Sequence, residues 1–252
     1  MTDFKNLERL HTSIRAAVED YCRQMIIALG PRLRGFAVYG SATGADFIAG
    51  RSNVNTIAVL DRLDASALEP LLGPVKAGRK KGFVPPLLVS EEYVKTSLDV
   101  FPIEYLEIKD TEVVVYGEDI FSSLEVSHGN LRLECESQLR AAALRTRQAY
   151  LEIGLARRGA ERVLHTSVTA LVPVFKAILR LRGETLPRRK VEVVEAVGRA
   201  LGTDTSIFTA VLRDKSGDEK IDGRDAHRIL GEYVDAIEAV AAFVNPEGKR
   251  CV

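Results

Sequence analysis

Tryptophan is absent from the 252 residues, methionine occurs twice and cysteine three times. Cys22, Cys135 and Cys251 stand far apart, without the close spacing of a metal site or the even count of a disulfide framework. Cys22 and Cys135 fall within helical patterns and are expected to be small buried side chains. Net charge is missing too: 35 basic and 35 acidic residues balance to zero. That balance gives no strong nucleic-acid signal. The local basic clusters, Arg79-Lys80-Lys81 and Pro187-Arg188-Arg189-Lys190, read as solvated helix ends. No apolar run approaches the roughly 20 residues of a membrane span, and no leader pattern opens the chain. The expectation is a cytoplasmic protein with no membrane partner.

What is present centres on Gly35 to Leu60. An apolar run, Phe36-Ala37-Val38-Tyr39, stops at Gly40-Ser41. A small loop containing Gly50-Arg51-Ser52 follows, and the chain re-enters an apolar run at Ile57-Ala58-Val59-Leu60. Short apolar runs bounded by Gly and Ser read as buried strands. Gly-Ser at a strand exit offers unhindered backbone N–H groups and a hydroxyl, groups suited to phosphate oxygens. A strand entered just afterwards presents Asn53 and Asn55 on one face, because side chains alternate with period two.

This stretch resembles the nucleotidyltransferase superfamily, the fold of antibiotic nucleotidyltransferases and polymerase-beta-like enzymes. The family pattern is an apolar strand, Gly-Ser, a loop, then Asp-x-Asp or Asp-x-Glu before a second apolar strand. Gly40-Ser41 and Gly50-Arg51-Ser52 match it, so the resemblance implies nucleotide-binding roles for Gly40, Ser41, Arg51 and Ser52. Asn53 and Asn55 stand where the family has its two metal-binding carboxylates. The resemblance implies a third acid from a later strand, with Glu104 as the match and Glu107 as the alternate. Two readings follow. In one, the chain is a degenerate member that binds a nucleotide (ATP or another NTP) or a partner without catalysing transfer. In the other, it is an active enzyme moving a nucleoside monophosphate from NTP to a hydroxyl acceptor with a non-standard metal site. Magnesium is implied only for the second, in which Asp46 supplies a substitute carboxylate.

The remaining elements are expected around this centre. Phe4, Leu7, Leu10, Ile14, Val18, Tyr21, Met25 and Leu29 recur at helical spacing and predict one amphipathic helix from Asp3 to Leu29. Helical pieces are predicted over 64–80, broken by its prolines and glycines, and a short helix over 91–98 capped by Ser90. Strands are predicted over 84–89, 101–108 and 113–116. Beyond residue 126 only helical patterns occur, near 131–153, 157–181, 188–201, 205–213 and 222–244. The expected fold class is α+β: a small mixed sheet with flanking helices over residues 1–126, then an all-α bundle over 127–252. The bundle is similar to helical domains that accompany nucleotidyltransferase modules, including HEPN-type bundles. Some of those are ribonucleases with an Arg and a His spaced like Arg158 and His165, though chance pairing is the expectation here. The apolar helix from Val163 to Leu181 suggests a homodimer face.

Overall fold

The computed structural model describes residues 4–44, 47–50, 52–156, 159–221 and 226–244. The chain divides into two compact units, Met1–Val126 and Ser127–Val252. The first holds a four-stranded mixed sheet with flanking helices, and the second, among the described residues, is entirely helical. The architecture is α+β.

In the first unit, α1 spans Arg15–Leu29, β1 Leu33–Tyr39, β2 Asn55–Leu60 and α2 Leu72–Arg79. They are followed by β3 Leu87–Ser90, α3 Glu91–Thr96, α4 Pro102–Thr111 and β4 Val113–Gly117. The strand order is β3-β2-β1-β4. β1 runs antiparallel to both β2 and β4, while β2 and β3 are parallel. Alternation along the central strands sends Phe36, Val38, Ala58 and Leu60 to one face, where Val18, Tyr21, Cys22 and Met25 of α1 cover them. Ala37, Ile57 and Val59 point to the other face and meet Val94 of α3 and Tyr105 and Ile108 of α4. The two central strands are thus buried on both sides, which explains their unbroken apolar runs.

Three stretches differ from the sequence expectation. The first helix begins at Arg15, not Asp3: Asn6 takes a left-handed φ of 56° and a single 3-10 turn, Leu7–Arg9, follows it. The segment before the helix instead lies along β4. The Lys5 N–H donates to the Val115 carbonyl (2.8 Å) and Asn6 Nδ2 to that of Val114 (2.9 Å), which covers the edge strand. Residues 102–111 form a helix where a strand is expected. Pro102 occupies the first turn, where its missing N–H costs nothing, with Glu104 there and Lys109 in the last turn, both favourable to the helix dipole. The strand expected over 84–89 begins only at Leu87, past Pro85 and Pro86.

The second unit contains α5 His128–Ala156, α6 Ala160–Leu181, α7 Lys190–Leu201, α8 Ser206–Ser216 and α9 Ala226–Val244. Phe175 of α6, Phe208 of α8 and Tyr233 of α9 pack tilted and edge-to-face in its core, with ring centroids 5.1 and 5.0 Å apart. By length and composition α6 is apolar enough to cross a membrane, but half of its most apolar stretch is buried inside the unit. Leu164, Val168, Leu171, Phe175 and Ile178 are among those buried side chains.

Candidate functional site

The structure brings the end of β1 and the start of β2 together, because Tyr39 and Asn55 are directly paired across the ladder. Asn55 therefore shares a face with Tyr39, Ala37 and Ile57, the face on which α4 packs. β1 ends at Gly40, which takes a φ of 76° and opens a 3-10 turn, Gly40–Thr43. A Cβ added to Gly40 would sit 3.1 Å from Asn55 Nδ2, so the amide lies against the glycine's bare face. Ser41 and Asn55 are both half-buried at this sheet end. Asn53 is exposed and lies before β2, separated from Asn55 by Val54, which is buried and bridges to Phe83.

The hydroxyls of Ser52 and Thr43 are already engaged. Ser52 Oγ accepts the Ile48 N–H (3.0 Å) while the Ser52 N–H donates to the Ile48 carbonyl (2.8 Å), closing the loop on itself. Thr43 Oγ1 donates to the Gly40 carbonyl (2.8 Å), and the Gly44 N–H to that of Ser41. The Gly40 N–H, the group that strand-exit glycines offer to phosphate, donates to Thr111 Oγ1 at 2.8 Å. Thr111 had no sequence signal, since only the fold carries the end of α4 to the end of β1. Arg51 and Asp46 lie outside the described residues.

Glu104 does not stand on a strand. It is exposed on the first turn of α4, while its neighbours Ile103 and Tyr105 are buried. Glu107, one turn further along α4, is half-buried. Burial raises the Tyr39 phenol, and the negative charge of Glu107 raises it further. Glu107 is thus an acid whose charge is felt at Tyr39, and it stands on a helix rather than on a strand beside Asn55.

The strand beside β2 offers no replacement. Ile57 pairs with Leu87 and Val54 bridges to Phe83, so the stretch running past Asn55 is Phe83-Val84-Pro85-Pro86. Nothing from Gly82 to Ser90 is acidic. Magnesium is small and hard and takes anionic oxygens in octahedral geometry. At an effective dielectric of about 20, each carboxylate within a few ångströms of the ion matters by several kcal/mol. Two amides, hydroxyls and one half-buried glutamate on a helix are, among the described residues, a donor set that does not fit that ion.

Other candidates resolve into local roles. His11, inside the helix expected from Asp3 to Leu29, instead lies in the turn before α1, where it pairs with Ser13 (2.7 Å) and leans on the Phe47 ring. Burial pushes the thiols of Cys22 and Cys135 up to about 12, leaving them unreactive. Arg158 and Cys251 lie outside the described residues, and His165 pairs with Asp214 of α8 (2.6 Å).

No protein-family model and no curated protein sequence matches this chain. Among solved structures, the spectinomycin adenyltransferase AAD(9) of Enterococcus faecialis, crystallised with ATP and spectinomycin, is similar with a TM-score of 0.59. Sequence identity is 10%, and the match covers 88% of this chain and 99% of that one. At that identity the likeness is one of fold, and this chain has an α+β, nucleotidyltransferase-like fold.

Proposed function

We propose that this chain is a nucleotidyltransferase-fold protein that binds a nucleotide, or a partner, without carrying out metal-dependent nucleotidyl transfer. One observation carries the reading: Asn55 sits against Gly40 at the strand-exit turn, and neither it, Asn53 nor the stretch beside β2 supplies a carboxylate. Nucleotidyl transfer needs cations to neutralise charge developing on the reacting phosphate. A site without fixed anionic ligands does not hold those cations in place. The same amides and backbone groups still suit the oxygens of a nucleotide, and the similar solved structure was determined with ATP. Arg51 belongs to this proposal as a metal-free counter-charge for a triphosphate.

The test is calorimetric titration of ATP and GTP, with and without magnesium, on the native chain and on Asn53→Asp/Asn55→Asp. The expected result is magnesium-indifferent binding by the native chain and magnesium-dependent binding by the double variant. Magnesium-dependent binding by the native chain, with release of pyrophosphate when acceptors are supplied, overturns the reading in favour of a working transferase. If neither protein binds nucleotide, the nucleotide half of the reading is lost and a partner-binding role stands alone.

A further inference from the structure

The helical unit contains a second cluster of polar side chains, unrelated to the sheet end. Glu161 and His165 are four residues apart on α6, so they share one face of the helix about one turn from each other. Asp214 of α8 meets them there. His165 Nε2 and Asp214 Oδ2 are 2.6 Å apart, and one ligand atom from each of the three residues lies within 4.8 Å of the others. Donors bound to one tetrahedral zinc ion at about 2.0–2.2 Å stand roughly 3.3 Å from each other. The His165–Asp214 pair is closer than that value and all three donors lie within 4.8 Å of one another, so an ion between them requires the pair to open and Glu161 to close on it.

Two further features suit an ion better than a plain ion pair. The Asp214 side chain is only 9% exposed, and its other oxygen, Oδ1, accepts the Ile221 N–H at 3.0 Å. That bond fixes the carboxylate and leaves Oδ2 facing the cluster, the kind of outer support that orients metal ligands. Glu161 remains exposed at the rim, which leaves an approach from solvent. The nearby ammonium of Lys215 is hydrogen-bonded to Thr169 Oγ1, one turn beyond His165 on α6. One imidazole and two carboxylates select a borderline divalent transition metal over magnesium or calcium, which take oxygen alone.

The geometry points to a zinc-type divalent metal site formed by Glu161, His165 and Asp214, clipping α6 to α8 and leaving a fourth position to water. The site is tested with cobalt(II) as the spectroscopic probe on the full chain after treatment with a chelator. One equivalent of cobalt is expected to give the visible absorption of a four-coordinate ion and to be displaced by one equivalent of zinc. Glu161→Gln is expected to weaken cobalt binding at least tenfold. It lies at the rim, so its far-ultraviolet circular dichroism should match that of the native chain. Asp214→Asn and His165→Ala are expected to abolish binding. Cobalt uptake by the native chain no greater than by His165→Ala overturns the assignment, and so does native-like affinity in Glu161→Gln. If the two inner variants fail to fold, the Glu161→Gln comparison decides alone.

Discussion

The backbone N–H of Gly40 is held by the hydroxyl of Thr111, seventy-one residues later in the chain, at 2.8 Å. Thr111 in turn donates to the carbonyl of Glu107 at 2.6 Å, so its oxygen is fixed by its own helix and presented to the strand exit. On the proposed reading, the threonine oxygen competes with a nucleotide phosphate for this N–H. Any nucleotide that uses the Gly40 N–H must displace it.

Thr111→Val follows directly. Valine keeps the shape but removes the acceptor, so the glycine N–H becomes available to a ligand. A neutral hydrogen bond is worth about 0.5–1.5 kcal/mol. Metal-free ATP affinity is therefore expected to rise by roughly 2- to 10-fold. Unfolding stability should fall by about 1 kcal/mol, because the half-buried N–H loses its partner in the free protein. Calorimetry and urea denaturation read the two effects separately. An unchanged or weaker ATP affinity would show that the phosphates do not use this N–H.

The second prediction concerns pH. Glu112 lies beside β4 in a recess also lined by Lys5, Asn6, Arg9 and Asp119. Burial, followed by the charge of Asp119 and a hydrogen bond with it, raises the Glu112 carboxyl from 4.5 to about 8. Asp119 is held in place, since its Oδ1 accepts the N–H groups of Phe121 and Ser122. The folded chain thus keeps a proton that the unfolded chain releases above pH 4.5. The stability from this proton is complete below pH 4.5 and is lost as pH rises toward 8. Glu112→Gln preserves a neutral donor toward Asp119 at every pH. The variant is expected to be more stable than the native chain above pH 8 by about 1–2 kcal/mol, a figure discounted for solvent screening, and to match it near pH 4.5. Parallel stability curves for the two proteins across that range would remove the carboxyl pair from the account.

Sequence reading reached the centre of the fold because unbroken apolar runs and a Gly-Ser stop carry their own physical explanation. The two strands either side of the turn are legible in those runs, but Asn53, expected beside Asn55 on one strand face, lies exposed before β2. Sequence reading failed at Phe101 to Ile108, where Phe101, Ile103 and Tyr105 alternate like a strand while Tyr105 and Ile108 are also spaced for a helix. Helical packing won there, with Pro102 at the first turn and Tyr105 bonded to Ser97 (2.7 Å). The first helix starts late, at Arg15, after Asn6 takes a left-handed backbone conformation that apolar periodicity does not report. Thr111 and Asp214 were invisible for a different reason. Each acts on a partner some fifty to seventy residues distant, 71 positions for Thr111 and Gly40 and 49 for Asp214 and His165, and no local pattern encodes such a meeting.

The last prediction separates the two roles of Gly40. Its φ of 76° is a left-handed conformation, which costs an L residue about 1–2 kcal/mol. A side chain there also meets Asn55 Nδ2 at 3.1 Å, tighter than an ordinary van der Waals contact. Gly40→Ala is therefore expected to lower stability by about 2 kcal/mol and to abolish ATP binding. Asn55→Ala alone removes the amide but leaves the turn unstrained, so its loss of stability should be below about 1 kcal/mol. The double variant divides the effect. If the contact with Asn55 carries part of the cost, Gly40→Ala/Asn55→Ala is more stable than the sum of the single changes allows, by roughly 0.5 kcal/mol or more. Strict additivity would assign the whole cost to the backbone. Gly40 would then be a turn residue that happens to lie beside Asn55, with no energetic coupling between glycine and amide at this sheet end.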